Sequence, residues 1–137
     1  MTRVSTMHTG KKITHSQPEF DYQCAIFQWR KFQLNVYPEL KYMFSTLNGV
    51  RVSIGTATKM KRAGMTRGIV DIILPAKNKY YSSLFVELKH GDNKPSKDQL
   101  DYISFLNKQG HLALVCWGFE EAINVIENYL MNIERSF

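Results

Sequence analysis

Residues 69–89, with the sequence IVDIILPAKNKYYSSLFVELK, decide the fold of this 137-residue chain. Two apolar runs, 69–74 and roughly 81–89, are separated by Pro75 and a polar link, and runs of this kind predict strands. Because the link is short, the two strands can be joined only as antiparallel neighbours. The sequence therefore predicts a β-hairpin.

Charged residues interrupt both strands of this hairpin. Period-two alternation in the second strand places Phe85, Glu87 and Lys89 on one face of the sheet. Asp71 interrupts the first strand in the same way. Burial of an unpaired charge costs on the order of several kcal/mol, so charges at such positions need a reason. We therefore expect two carboxylates and an ammonium to converge on one patch of the sheet.

Two carboxylates that lie close together repel each other, and a divalent cation between them relieves the repulsion. Oxygen donors of this kind favour Mg²⁺ or Mn²⁺ over softer metals, and no group of His or Cys residues has the spacing of a zinc site. Such a cation lowers the pKa of a bound water, while nearby basic side chains stabilise charge on a phosphate. The patch thus predicts phosphodiester chemistry with Mg²⁺ or Mn²⁺ as cofactor, and no small-molecule cofactor.

Outward from the hairpin, the remaining periodic stretches predict helices and further strands. The first helix begins with Ser16 as N-cap, Pro18 in its first turn and Glu19 at position N3, and runs to about residue 33. The other predicted elements are a strand over 50–54, a helix from the Ser96 cap to about 108, a central apolar strand over 111–117, and a helix over 120–133. This order, α-β-β-β-α-β-α, predicts an α/β fold with a mixed sheet of about four strands flanked by helices.

Composition and the chain ends indicate the organisation of the protein. Residues 1–15 are polar, basic and aperiodic, which predicts a flexible arm before a single domain over 16–137. No apolar run is long enough to cross a membrane. Cys24 and Cys116 lie in apolar stretches, where buried reduced thiols are expected. These features predict an intracellular, soluble protein, cytoplasmic or associated with the nucleoid.

Positive charge is concentrated just before the hairpin. The formal net charge of +6 favours a polyanionic partner. The segment between Thr56 and Gly68 contains no acid and carries a basic cluster, which consists of Lys59, Lys61, Arg62 and Arg67. We interpret this basic cluster as a loop that contacts DNA phosphates, with Lys94 as a further contact. The alternative is a loop that is merely solvated.

The spacing of the charged residues resembles a known nuclease pattern. Asp71 is followed after fifteen residues by Glu87-Leu88-Lys89, which resembles the D…ExK core of the PD-(D/E)xK nuclease superfamily. Further elements extend the likeness over roughly 16–130: Glu19 with Gln23, Lys61-Arg62-Ala63-Gly64 with Gly68, Lys94-Pro95-Ser96 with Gln99, and Gly118 with Ala122. Together they resemble the VRR-NUC family of that superfamily, although Val70 stands where many relatives have a proline. The resemblance implies an α/β fold with a restriction-endonuclease-like core.

The resemblance implies roles for the residues of the core pattern. Asp71, Glu87 and the backbone carbonyl of Leu88 would bind the metal. Lys89 would orient or deprotonate the attacking water and steady the phosphate. Relatives that stand alone at this size resemble Holliday-junction resolvases and tend to be homodimers, so a homodimer is also implied. A resolvase makes two symmetric cuts, and a twofold dimer supplies two sites.

The resemblance also implies that three residues on the flanking helices reach the site. Glu19 would bind the metal directly or through a water, Gln23 would support it, and Gln99 would touch the site from the helix after the hairpin. Glu19 and Gln99 each stand three residues after a serine, as in a capping box, so a purely structural role is the alternative for both.

These observations favour a Mg²⁺- or Mn²⁺-dependent deoxyribonuclease, an endonuclease selective for branched, junction or flap DNA. The alternative in another class is a catalytically inactive module of the nuclease fold that only binds DNA. A third interpretation is an RNA-directed enzyme or a ribosome-associated basic protein. The chain has no RNP-type aromatic strand, although Tyr80 and Tyr81 leave this interpretation open.

Overall fold

The hairpin predicted over 69–89 forms the middle of the sheet. The computed structural model describes residues 17–46 and 51–135. In chain order the elements are α1 (Pro18–Gln33), a 3₁₀ helix (Pro38–Tyr42), β1 (Phe44–Ser45), α2 (Ile54–Arg62), β2 (Ile72–Leu74), β3 (Leu84–Lys89), α3 (Lys97–Lys108), β4 (Leu112–Trp117) and α4 (Phe119–Met131). The predicted arm over 1–15 lies outside the described residues.

The described strands form one mixed sheet in the order β1-β2-β3-β4. β1 pairs with β2 and β2 pairs with β3 in antiparallel fashion, whereas β3 and β4 are parallel and are connected through α3. A helical crossover is the usual connection between parallel neighbours. The predicted fold class, an α/β fold with a mixed four-stranded sheet flanked by helices, is confirmed.

The two faces of β3 have different neighbours. Leu84, Val86 and Leu88 are fully buried on one face, in a core cluster with Ile26 of α1 and Ile126 of α4. The other face of β3 lies under α3, where the ring of Phe85 contacts the ring of Tyr102 edge-on. Glu87 and Lys89 share this second face, so the apolar layer of α1 and α4 holds the strand that carries them.

The first strand and the basic cluster are not where the sequence predicted them. Val50 lies outside the described residues, and within 51–54 no strand forms. Ser53 instead caps α2, because its side chain accepts a hydrogen bond from the amide of Thr56 at 3.2 Å. Ile54, expected to be a strand residue, is 87% exposed. The strand prediction over 50–54 is therefore wrong, and most of the basic cluster lies on a helix rather than in a loop.

The start of α1 also differs from its prediction. The helix begins at Pro18 with Gln17 as N-cap, so Glu19 is at position N2 and not at N3. The other partner of the expected capping box, Ser16, lies outside the described residues. The position of Glu19 on α1 therefore does not support the capping role considered from the sequence.

The prediction that 111–117 occupies a central position is wrong, because β4 is the last strand of the described sheet. Side chains cover its outer edge. Asn107 makes hydrogen bonds to both the amide and the carbonyl of Ala113, at 2.9 and 3.0 Å, and Glu121 accepts from the amide of Trp117. An apolar strand can lie at an edge when side chains from adjacent helices occupy its free backbone groups.

The two cysteines are both unpaired, and only one matches the predicted burial. Cys116 is buried, whereas Cys24 is exposed. Burial raises the pKa of the Cys116 thiol to about 12. Over the described ranges, no helix combines the length and apolar character that crossing a membrane requires.

Candidate active site

Glu87 is the most deeply buried acid of the candidate site, at 2% exposure. Its Oε2 atom accepts a hydrogen bond from Nε2 of Gln99 at 2.8 Å and lies 3.0 Å from Nζ of Lys89. Its Oε1 atom is buried and has no hydrogen-bond partner in the part of the chain that the structure describes. One oxygen is thus held in place by two donors, whereas the other is buried without a donor.

Asp71 meets β3 from the neighbouring strand. Ile72 is the regular partner of Val86, yet the amide of Asp71 also donates to the carbonyl of Val86 at 3.1 Å. Two residues that oppose one on the partner strand are the arrangement of a β-bulge, which redirects a side chain. The Asp71 Oδ2 atom accepts from the amide of Leu88 at 2.8 Å. The bulge therefore places this carboxylate against the same end of β3 that carries Glu87.

The electrostatics of the two acids show that negative charge is in excess at this point. Burial and, to a smaller extent, the charge of Asp71 raise the pKa of Glu87 to about 7, against the opposing effect of Lys89. Burial also raises the pKa of Asp71, although the Leu88 amide and Lys89 lower it. One ammonium therefore does not compensate both carboxylates, and an additional cation would stabilise their ionised forms.

Glu19, in the first turn of α1, is a third acid of this region. Its charge raises the pKa of both Asp71 and Glu87. Its Oε2 atom accepts a hydrogen bond from Nδ2 of Asn93, in the turn after β3, at 3.2 Å. Gln23 is half-buried one turn further along α1, and within the described ranges it makes no hydrogen bond to these acids. The structure brings Glu19 to the site but gives Gln23 no direct part in it.

Gln99 makes contacts of both kinds that its sequence left open, to the helix cap and to Glu87. Its Oε1 atom accepts from the amide of Ser96 at 3.0 Å, and the Ser96 side chain accepts from the Gln99 amide, which completes the capping box of α3. Its Nε2 atom meanwhile donates to Glu87. Because a primary amide has both an acceptor and donors, one buried side chain joins the start of α3 to the carboxylate.

Gly68 fixes the approach of the chain to Asp71. It has a φ of +79°, and a Cβ atom at this position would lie 2.5 Å from the Cβ of Asp98 on α3. Both the left-handed backbone and the contact exclude a larger side chain. The segment before Asp71 is therefore held closely against the first turn of α3, which also supplies Gln99.

The five predicted DNA-contact residues are all exposed: Lys59, Lys61, Arg62, Arg67 and Lys94. The ion pairs between described residues involve other cations, so none of the five is neutralised by a neighbouring acid in the described ranges. On α2, Lys59 and Arg62 are three residues apart and share a side of the helix. Gly55 lies on that side, with open space around it. The structure thus presents the positive charge to solvent.

Several contacts near the site had no signal in the sequence. The indole Nε1 of Trp117 donates to the carbonyl of Asn93 at 3.0 Å, and Asn93 in turn donates to Glu19. A hydrogen bond of 2.6 Å joins the Tyr22 hydroxyl and Nδ1 of His90. These contacts connect residues far apart in the sequence, so no local pattern could have indicated them.

The residues present fit a hard divalent cation. The unpartnered Glu87 Oε1 and the Asp71 carboxylate are oxygen donors with the preference of Mg²⁺ or Mn²⁺. Among the described residues, no group of three His, Cys, Asp or Glu side chains is arranged as a ready metal site. Two carboxylates suffice for such an ion, because Mg²⁺ in proteins usually keeps several waters and is bound through only one or two carboxylates.

Comparison with solved structures finds a similar protein. The sequence matches no family model, and no curated protein is significantly similar to it. A solved structure described as a VRR_NUC domain protein superposes on this chain with a TM-score of 0.72. The two sequences are 26% identical, and the match covers 88% of this chain and 93% of the other. The same family had been indicated by the sequence pattern alone, from individual residues and their order.

Proposed function

We propose that this chain, which is similar in structure to a VRR_NUC domain protein, is a Mg²⁺- or Mn²⁺-dependent endonuclease that hydrolyses phosphodiester bonds in DNA. The observation that carries the proposal is the unpartnered Oε1 atom of Glu87, buried beside Asp71 and Lys89. A buried, unsatisfied carboxylate oxygen next to a second acid is costly without a ligand. A divalent cation at this position would remove that cost.

Asp71 and Glu87 would hold the cation, together with the backbone carbonyl of Leu88, and Glu19 would reach it directly or through a water. When bound, the cation supplies Lewis-acid stabilisation of the phosphate and lowers the pKa of a coordinated water. Gln99 and Lys89 keep Oε2 of Glu87 occupied, so the free oxygen is the one directed to the ligand. The acids are held before any substrate arrives, as preorganised sites require.

Lys89 would position the attacking water and one phosphate oxygen. Its ammonium has three donors, one of which meets Glu87 at 3.0 Å. The side chain is only 12% exposed, so its remaining donors act at the edge of a largely buried patch. A cation in such surroundings stabilises negative charge more strongly than one in open solvent.

The exposed basic residues would hold the DNA backbone near these acids. Lys59, Lys61 and Arg62 on α2, with Arg67 and Lys94, carry charge that no described acid neutralises. Contacts to phosphates position a duplex without reading its sequence. Selectivity for branched, junction or flap DNA and a homodimeric assembly complete the proposal, and both are inferred from the family resemblance.

The proposal is tested by incubating the purified protein with supercoiled plasmid and with linear, flap and four-way-junction DNA, in Mg²⁺, in Mn²⁺ and in EDTA. We expect nicking and branch-selective cleavage with either metal and none in EDTA. Binding of every DNA without cleavage in any metal would identify an inactive DNA-binding module. Preference for RNA in a competition assay would redirect the assignment to an RNA substrate.

The proposed dimer is tested separately by equilibrium sedimentation at micromolar concentration. A twofold dimer is expected, because paired cuts in a junction need two sites. A monomer that still cleaves flaps would remove junction resolution from the proposal while leaving the nuclease assignment intact.

A further inference from the structure

Trp117 is the aromatic side chain that the sheet register places beside Lys89. The two residues are direct partners in the parallel pairing of β3 and β4. Partners in a parallel pair point to the same face, and neighbouring strands are about 4.8 Å apart. The indole therefore extends from the same side of the sheet as the lysine that would hold the phosphate.

The indole is fixed in position although it is 43% exposed. Its Nε1 atom donates to the carbonyl of Asn93 at 3.0 Å, and its backbone amide donates to Glu121. Asn93 also holds Glu19, so the ring is attached to the turn that contacts the acidic site. With its only polar atom already bonded within the protein, the exposed part of the ring can offer a ligand only an apolar π surface.

We propose that Trp117 is a stacking platform for an unpaired nucleobase of the DNA strand that is to be cut. The proposal rests on the proposed nuclease function. Stacking on an aromatic ring suits any base, because every base has a π face. Bases inside a duplex are already stacked on their neighbours, so a platform beside the phosphate site favours a nucleotide that a branch or flap has left unpaired.

The charge distribution around the ring agrees with a nucleic-acid ligand. Lys89 is its partner across the strands, and Lys94 lies exposed one residue after Asn93, to which the ring is bonded. Single-stranded nucleic acids are commonly held by cations that follow the backbone and by aromatic rings that take the bases. Trp117 would thus supply the selectivity for branched DNA that the metal site by itself does not.

Fluorescence can test this directly, because Trp29 and Trp117 are the two tryptophans of the chain. The Trp29→Phe variant leaves Trp117 as the single tryptophan. It is titrated in EDTA with a single strand, a flap and a plain duplex of the same sequence. We expect strong quenching by the single strand and the flap, and weak quenching by the duplex, since only an unpaired base can lie against the ring.

Affinity measurements with two substitutions of the ring complete the test. Trp117→Leu should weaken binding of the flap by roughly 5- to 100-fold and leave duplex binding nearly unchanged. Trp117→Phe keeps a π face and should retain most of the affinity. If the Leu variant does not fold, as judged by circular dichroism, the fluorescence titration decides alone.

The outcomes separate this inference from the nuclease assignment. Absence of quenching by the single strand and the flap, while both still bind, would overturn the platform. Equal loss of flap and duplex binding in Trp117→Leu would likewise overturn it and indicate that the ring only positions the turn at Asn93. Because these titrations contain EDTA, their result does not depend on cleavage. Metal-dependent cleavage by the wild type without quenching would refute the platform alone.

Discussion

The helices α2 and α3 both lie close in sequence to the hairpin, yet they differ in how they are held. α3 begins with a complete capping box, and its buried Gln99 bonds to Glu87. α2 has nine residues and none of them is buried. A helix so short is only marginally stable without tertiary packing. The proposed metal ligand Glu87 is thus supported by a capped helix through a buried side chain, whereas the proposed DNA-contact charge is carried on an exposed helix.

From this difference we infer that separate parts of the proposed site hold the acids and contact the DNA backbone. Residues that must place an oxygen atom accurately are fixed by buried hydrogen bonds, as Glu87, Asp71 and Gln99 are. Residues that contact a phosphate backbone need only bring charge to it, and flexible lysines and arginines do so from solvent. Substitutions of the buried residues should therefore alter the cleavage rate and the metal requirement, whereas substitutions on α2 should alter the affinity for DNA.

The largest effect on cleavage is expected from Glu87→Gln, a substitution at a buried acid. Loss of the carboxylate charge should lower the cleavage rate by roughly 100- to 1000-fold, the scale of losing one preorganised electrostatic group. DNA affinity should hardly change. Glu120→Gln, in an exposed glutamate of α4, is the matched control and should cleave like the wild type. Single-turnover cleavage and filter binding measure the two quantities, and full activity in a folded Glu87→Gln protein would contradict the assignment.

A smaller effect is expected when the support of Glu87 is removed and the carboxylate is kept. Gln99→Met should raise the Mg²⁺ concentration for half-maximal cleavage by roughly 10- to 100-fold, as loss of a residue that orients a metal ligand does. Ser96→Ala is its control, because it breaks the same capping box without touching Glu87. It should cost about 1 kcal/mol of stability and leave the metal requirement unchanged. Equal metal requirements in the two variants would show that Gln99 serves only the cap.

On the exposed side, Lys59→Ala combined with Arg62→Ala should weaken DNA binding without altering the rate of bound substrate. If each residue meets one phosphate, the slope of log affinity against log salt should become shallower by about 2. Lys77→Ala, in the exposed link between β2 and β3, is the control and should keep the wild-type slope. A lower rate at saturating DNA in the double variant would instead place α2 in the chemistry.

The smallest expected effect is the pH dependence of the free energy of unfolding in the absence of metal. The folded protein keeps the Glu87 proton up to a pKa of about 7, whereas the carboxyl of an unfolded chain releases it near 4.5. Between these values the folded state binds the extra proton, so the free energy of unfolding should fall as pH rises from about 4.5 to 7. Denaturant titrations in EDTA measure this slope. Glu87→Gln should make it shallower, and an unchanged slope would show that Glu87 is not its source.

The parts of the fold that were predicted correctly have local signals. Alternation and turn residues indicated the hairpin, and the Ser96 capping box marked the start of α3. The strand predicted over 50–54 failed because Val52 and Ile54 alternate in a segment that Ser53 starts as a helix. Alternation over so few residues is compatible with a strand and with the start of a helix. Because none of the residues of α2 is buried, no core-facing pattern distinguished the two.

Residues around the site were predicted where their chemistry is visible in the chain. Asp71 and Glu87 stand out as acids in apolar strands, and the structure places them together. Asn93 and Trp117 were missed, because their contacts join α1, the turn after β3 and the end of β4. Such contacts depend on the register of a finished sheet, which no spacing in the sequence encodes.

Binding of a divalent cation by Asp71 and Glu87 is measured by calorimetric titration of Mn²⁺ into the DNA-free protein. We expect one saturable site in the wild type and in Glu120→Gln. Near pH 6.5 binding should release protons, because the cation displaces the proton that Glu87 holds. The site should be absent in both Asp71→Asn and Glu87→Gln. Undiminished Mn²⁺ binding in both variants would contradict binding by these two acids.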